Sequence, residues 1–224
     1  MCKGRDERCG LAVRRLQVRN EKTNSAEDIH QLVQKLGHDQ IHLMGMDIGA
    51  MTAFAFATSY PESIRRLVIS ESVLPGFGLE ELMDVAKGGS WHFGFHMQAD
   101  LAASLVRGKE AEYLEQFWRH MSPINPLDQT LKAELISKFQ LPGAMRAGFM
   151  HYEALLRDGE VNRMRAAQAL SISMPVLILN GSHGLPQAPL LYTATQMKLQ
   201  MRHTILENTG HTLAEDSQVL HVVH

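Results

Sequence analysis

Between Ile41 and Ala50 the chain reads Ile-His-Leu-Met-Gly-Met-Asp-Ile-Gly-Ala, an apolar strand that runs into a G-x-D-x-G turn and then into the apolar stretch ending at Ser59. Few local structures accommodate this. Glycines two residues either side of a turn residue let a strand and the following helix pack closely, while the central residue is strained and pushed outward, the arrangement called a nucleophile elbow. The tip is Asp47. A carboxylate suits attack on an sp3 carbon, because displacement gives an ester that water later cleaves at its carbonyl. The same five residues also fit an ordinary turn, in which Asp tolerates unusual backbone angles, so the flanking chain decides.

Those flanks are regular. Ser25-Ala26-Glu27-Asp28 resembles a capping box, and Ile29, Leu32, Val33 and Leu36 recur at helical spacing before Gly37. This predicts an amphipathic helix leading into a strand at about 40–45. The apolar run from Ala50 to Ser59 predicts a buried helix stopped by Pro61, and Arg65 to Glu71 a second core strand. Helix, strand, helix, strand at this spacing implies a parallel sheet with right-handed crossovers.

The pattern then changes. From Leu74 to about Ser173 the signals are helical, over Leu79 to Ala86, Glu110 to His120, Leu127 to Phe139 and Gly143 to Leu156, punctuated by Gly88-Gly89, Pro123, Pro126 and Pro142-Gly143. Sheet signals resume with Met174 to Gly181, a helix over Gln187 to Leu199, a strand at His203 to Leu206 and a closing helix from Leu213 to Val222. The expected organisation is an unassigned arm (1–21), a first core part with the elbow (22–72), a helical lobe (73–173) and a second core part (174–224). In open parallel sheets the loops after the carboxyl ends of strands carry the chemistry. Asp47, Glu71, Ser182 and His211 all fall on such loops.

Composition narrows the partner. With 45% hydrophobic and 21% charged residues and a formal net charge of -2, nothing favours nucleic acid or a membrane surface, which leaves a small molecule. No run of apolar residues is long enough to span a bilayer. Cys2 and Cys9 form neither a zinc-site pattern nor a disulfide framework, which is compatible with a reducing, cytoplasmic setting. No metal or organic cofactor is implied, and the oligomeric state is left open.

Asp28-Ile29-His30-Gln31-Leu32, Gly37-His38-Asp39, the elbow Gly45 to Ala50, Pro61 to Val68, Leu74-Pro75-Gly76 and Thr209-Gly210-His211 follow one another in an order that resembles the epoxide hydrolase and haloalkane or haloacid dehalogenase branch of the α/β-hydrolase superfamily. The resemblance covers the chain from about Lys22. It implies an α/β fold, a mostly parallel sheet flanked by helices, with the helical lobe as a cap over the substrate. It implies Asp47 as nucleophile, His211 as the base that activates water, the Ile48 backbone N–H as an oxyanion donor, and Tyr152 as a cap hydroxyl that assists the leaving oxygen. The second cap tyrosine of epoxide hydrolases falls near Phe93, which has no hydroxyl, whereas Trp91 and His92 match the region from which dehalogenases bind halide.

Three departures stand out. Met46 replaces the usual His before the nucleophile. Ser182 stands where the acid that orients the His is commonly found, which leaves Glu71, after the preceding strand, as the candidate acid. The His-Gly-x-Pro loop that supplies a second oxyanion donor is missing before Asp47, together with the first strands of the fold. The expected activity is hydrolysis at an electrophilic sp3 carbon through an Asp-ester, epoxide first; the alternatives are a dehalogenase and a shortened, catalytically impaired relic.

Overall fold

The computed structural model describes residues 21–121, 127–168, 172–196 and 201–213. The arm and the expected closing helix therefore lie outside the described residues, apart from Glu21 and Leu213. Four strands, β1 (Ile41–Met46), β2 (Ile64–Ser70), β3 (Val176–Gly181) and β4 (Met201–Leu206), form one sheet in sequence order. Every pairing is parallel. All four carboxyl ends thus open onto one rim, where the loops can converge. Among the described residues no strand pairs with the outer edge of β1, and no helix is long and apolar enough to cross a membrane.

Helix α1 (Lys22–Lys35) precedes β1 and α2 (Ile48–Ser59) follows it. Residues Ala50 to Thr58 of α2 are all buried, as a helix without a polar face must be. Its two threonines return their hydroxyls to the helix backbone, Thr52 to the Ile48 carbonyl and Thr58 to the Phe54 carbonyl, so neither polar group is left unpaired.

The expected capping box is not the start of α1. The helix begins at Lys22, three residues before Ser25, because the Lys22 N–H donates to Asp158 Oδ1 at 3.0 Å and the Lys22 ammonium lies 3.4 Å from Asp158 Oδ2. A carboxylate distant in sequence satisfies the helix terminus in place of a local cap.

Between β2 and β3 the described elements are all helical: α3 (Leu79–Leu82), α4 (Trp91–His96), α5 (Ala99–Val106), α6 (Glu110–Met121), α7 (Gln129–Phe139), α8 (Ala144–Glu153) and α9 (Leu155–Ala167). The helix expected over Leu79 to Ala86 stops at Leu82. Asp84 then caps a short 3-10 turn, Val85–Lys87, by accepting from the Ala86 N–H. Likewise the helix expected over Gly143 to Leu156 is two helices that meet at Ala154.

The lobe has its own core, in which Ala99, Ala102, Val106, Leu114, Met145 and Phe149 pack together. Helix α9 ties it to the sheet layer through an inward polar stripe at helical spacing, Asp158, Asn162 and Arg165. Asp158 takes Lys22; Asn162 donates to the Pro75 carbonyl; Arg165 donates to Thr58 Oγ1, to Ser59 Oγ and to the Ala55 carbonyl. That guanidinium sits at the carboxyl end of α2, where a cation complements the helix dipole. Helix α10 (Gln187–Gln196) lies between β3 and β4.

Candidate active site

The elbow forms as the glycines require. A Cβ on Gly45 would stand 2.3 Å from the Gly49 carbonyl oxygen, so only glycine permits this approach of β1 to α2. Asp47 has φ 50 and ψ -121, a strained conformation for a residue with a side chain, and Ala50 N–H and Met51 N–H both bond back to its carbonyl. Ser72 Oγ donates to the same carbonyl at 2.9 Å. Met46 packs against Leu179, Leu206 and Leu213, filling a hydrophobic position beside the elbow.

The next strand repeats the device. Met46 pairs with Ser70, so Asp47 and Glu71 leave adjacent strands at the same level, and the Asp47 N–H donates to the Ser70 carbonyl. Glu71 has φ 44 and is fully buried. Its carboxylate accepts from Asn180 Nδ2 at 3.2 Å, from the Gly181 N–H at 2.8 Å and from the Leu185 N–H at 2.7 Å. It also faces His211 Nδ1 at 3.1 Å. A carboxylate accepts only, which places the imidazole hydrogen on Nδ1 and turns Nε2 to the other side.

There Nε2 lies 3.7 Å from Asp47 Oδ2, longer than a hydrogen bond but within ion-pair range. Burial of the imidazole opposes its charged form, yet the facing carboxylates of Asp47 and Glu71 outweigh it and push the His211 pKa up to about 9. The loop Thr209-Gly210-His211 is locked onto the end of β3. A Cβ on Gly181 would meet the Thr209 and Gly210 carbonyl oxygens at 2.3 and 2.5 Å, and the His183 N–H donates to the Thr209 carbonyl.

Ser182, at the position where an acid was expected, does not reach the imidazole. Its Oγ is buried without a hydrogen-bond partner, while Glu71 occupies the imidazole's far side. The residue that sequence reasoning missed is Gly184, where a Cβ would lie 2.2 Å from the Glu71 carboxylate. With Asn180 it completes a cradle around that acid. The clustering of Gly181 and Gly184 just after a strand was the available signal.

Over this rim lies a cavity of about 340 Å³, lined by Asp47, Ile48 and His211 from below and by His92, Phe93 and Tyr152 of the lobe from above. Ile48 opens α2, where the first N–H groups have no acceptor within the helix. Tyr152 is buried, and burial together with the Asp47 charge pushes its hydroxyl pKa well up. His92 is also buried, which pushes its pKa down to about 4. Its ring meets Tyr152 edge to face at 5.9 Å.

Trp91 is not brought to the cavity. It is 44% exposed, with its ring 6.1 Å from those of Phe95 and His120. His92 and Phe93 share the cavity-facing side of α4, and the helical rotation one residue further back carries Trp91 off it. No cluster of side chains suited to hold a metal ion occurs among the described residues.

Residues 14–217 match a family model described as the alpha/beta hydrolase fold. The chain is similar to the soluble epoxide hydrolase of Corynebacterium sp. (strain C12), with 28% identity over 210 residues that cover 88% of this chain and 69% of that protein. It is similar also to the fluoroacetate dehalogenase of Burkholderia sp, with 23% identity over 169 residues, 71% of this chain and 53% of that one. Among solved structures, wild-type Cfl2 from Burkholderia cenocepacia superposes with a TM-score of 0.77 at 27% identity, covering 91% of this chain and 70% of the other. The model match spans most of the chain and includes the elbow, the four parallel strands and the histidine loop: the chain belongs to the alpha/beta hydrolase fold family.

Proposed function

We propose that this protein hydrolyses a substrate at an electrophilic sp3 carbon, with an epoxide as the first substrate class, beneath a helical cap formed by residues 73–173. The observation that carries the reading is the position of His211, with Nδ1 on buried Glu71 and Nε2 facing Asp47 at the floor of the cavity. The similarity to a soluble epoxide hydrolase supports it. In the first step an Asp47 carboxylate oxygen attacks the less hindered ring carbon. The C–O bond breaks, its electron pair stays on the oxygen, and a cap donor, Tyr152 or His92, supplies the proton.

In the second step His211 Nε2 takes a proton from water, which adds to the ester carbonyl. The oxyanion lies next to the Ile48 N–H. On collapse the ester C–O bond breaks and the departing alkoxide takes the proton of the new Asp47 carboxyl group, which completes the diol and restores the Asp47 carboxylate; the cap donor regains its proton from solvent. Glu71 fixes the imidazole tautomer and stabilises its charged form.

The charge of Asp47 also times the base. Free Asp47 helps hold His211 protonated. Conversion of that carboxylate to an ester removes its charge, so the imidazole gives up its proton to solvent and becomes a base once there is an ester to hydrolyse.

A dehalogenase reading draws on the similarity to a fluoroacetate dehalogenase and on His92, an N–H donor beside Phe93, which has no hydroxyl to offer an oxygen. One experiment separates the two. Incubation with styrene oxide and, separately, with bromoacetate and fluoroacetate is followed by assay of diol and of free halide. Diol from the wild type and none from Asp47→Ala supports the epoxide reading, whereas halide without diol selects the dehalogenase. Neither product from a protein that unfolds cooperatively leaves the impaired relic.

A further inference from the structure

His92 poses a chemical problem if it protonates the leaving oxygen. Burial outweighs the opposing pull of Asp47 and, with smaller contributions of the same sign from His120 and His211, keeps its imidazole neutral in the ordinary pH range. A neutral imidazole is a poor acid unless its second nitrogen receives a proton as the first gives one up.

The second nitrogen is engaged. Ser90 Oγ lies 2.7 Å from His92 Nδ1 and 2.9 Å from His120 Nε2, and His120 is exposed at the cavity rim. The hydroxyl is held in place from behind. The Ser90 N–H donates to the Leu82 carbonyl at 2.7 Å, and a Cβ on Gly89 would stand 2.5 Å from that carbonyl oxygen. A serine hydroxyl has one hydrogen and can accept, so it can donate to one imidazole while accepting from the other.

We propose that Ser90 and His120 form a proton relay that feeds His92, so that a proton from the solvent-exposed imidazole reaches the leaving oxygen without His92 becoming charged. The proposal rests on the reading of Asp47 as nucleophile toward an epoxide. As the ring C–O bond breaks, the oxygen takes the proton from His92 Nε2. His92 Nδ1 takes the Ser90 hydroxyl proton, and Ser90 takes the Nε2 proton of charged His120. The outcome is a neutral hydroxyl product, neutral His120, a restored Ser90 and His92 in its other tautomer. Once product has left, water in the cavity protonates His92 Nε2, Nδ1 hands its proton back to Ser90, and Ser90 hands one to His120 Nε2, which resets the chain.

Besides Ser90 and His120, His92 faces Asp47, His211, His96 and Tyr152. Ser90 and His120 are relay residues that act through His92 without touching the reacting atoms.

Two measurements test this. The first needs no turnover: 15N spectra of the histidine side chains are followed through a pH titration. The expected result is that the His92 ring resonances move with the titration of His120 in the wild type and in Ser90→Thr, and cease to do so in Ser90→Ala. Independence of His92 from His120 in the wild type overturns the relay, whatever the enzyme's substrate.

The second is the single-turnover rate of Asp47 alkylation by styrene oxide from pH 5.5 to 9. Ser90→Ala is expected to lower it on the order of 100-fold at pH 7 and to flatten its pH profile, with the substrate concentration at half-maximal rate unchanged and Ser90→Thr recovering most of the loss. Equal rates in wild type and Ser90→Ala, or equal damage in Ser90→Ala and Ser90→Thr, overturn it. No alkylation in the wild type contradicts the nucleophile reading instead, and the 15N result then decides the relay by itself.

Discussion

His211 carries two opposed demands, and its neighbours show how they are met. Under the proposed mechanism it stays charged while it faces two carboxylates, and it must be neutral to take a proton from water. Its pKa of about 9 follows from Asp47 and Glu71 together, working against burial. In Asp47→Asn one of those carboxylates is gone, so the imidazole is expected to titrate lower by on the order of one unit or more, as read from its ring proton shifts. An unchanged titration would mean that Asp47 does not govern the base. Tyr152 is expected to act on the first step only. Tyr152→Phe should slow alkylation about 10- to 100-fold and leave ester hydrolysis, measured after mixing, within about twofold.

At the scale of elements, the site is two strand ends and two loops pressed together. Glu71 directly follows β2, the groups that donate to it come from the end of β3 and the loop after it, and its imidazole partner comes from the loop after β4. Gly184→Ala forces a methyl group into the carboxylate, so it should destabilise the fold by on the order of 3 kcal/mol, seen as a lower urea midpoint. A loss under about 1 kcal/mol would show that the cradle yields. The parallel strands, the elbow and the His loop were legible because apolar runs of strand length alternate with helical ones and glycine marks the turns. Helix α9 was not. Asp158, Asn162 and Arg165 give it the polar look of a solvent-facing helix, whereas they are the stripe that faces inward and holds the lobe to α1, α2 and the loop after β2. The roles of Ser90 and Trp91 were equally hidden, because a neighbour 30 positions away and a helix's rotation leave no mark in a local pattern.

Across the whole molecule, buried histidines make stability depend on pH from both sides. His92 and His96 are pushed down to about 4 and about 3, first by burial, so below about 6.5 the unfolded chain binds protons that the folded one refuses, and stability falls as pH drops. His211 has the opposite sign. Its folded pKa is raised, so its contribution is complete below about 6.5 and is lost as pH rises through about 9. Thermal midpoints should therefore peak near neutrality, with a shallower acid limb in His96→Gln and a shallower alkaline limb in His211→Gln. A flat profile between pH 5 and 9 would contradict both assignments.

All of this depends on Asp47 as the group that bonds to substrate. The direct measurement is the intact mass of His211→Gln after incubation with styrene oxide, followed by mapping of the modified peptide. The expected result is a gain of one substrate mass per chain on the peptide containing Asp47, absent in the Asp47→Ala, His211→Gln double variant. A protein that turns over the epoxide in its wild-type form yet gains no mass in His211→Gln, or gains it elsewhere than Asp47, would contradict the account.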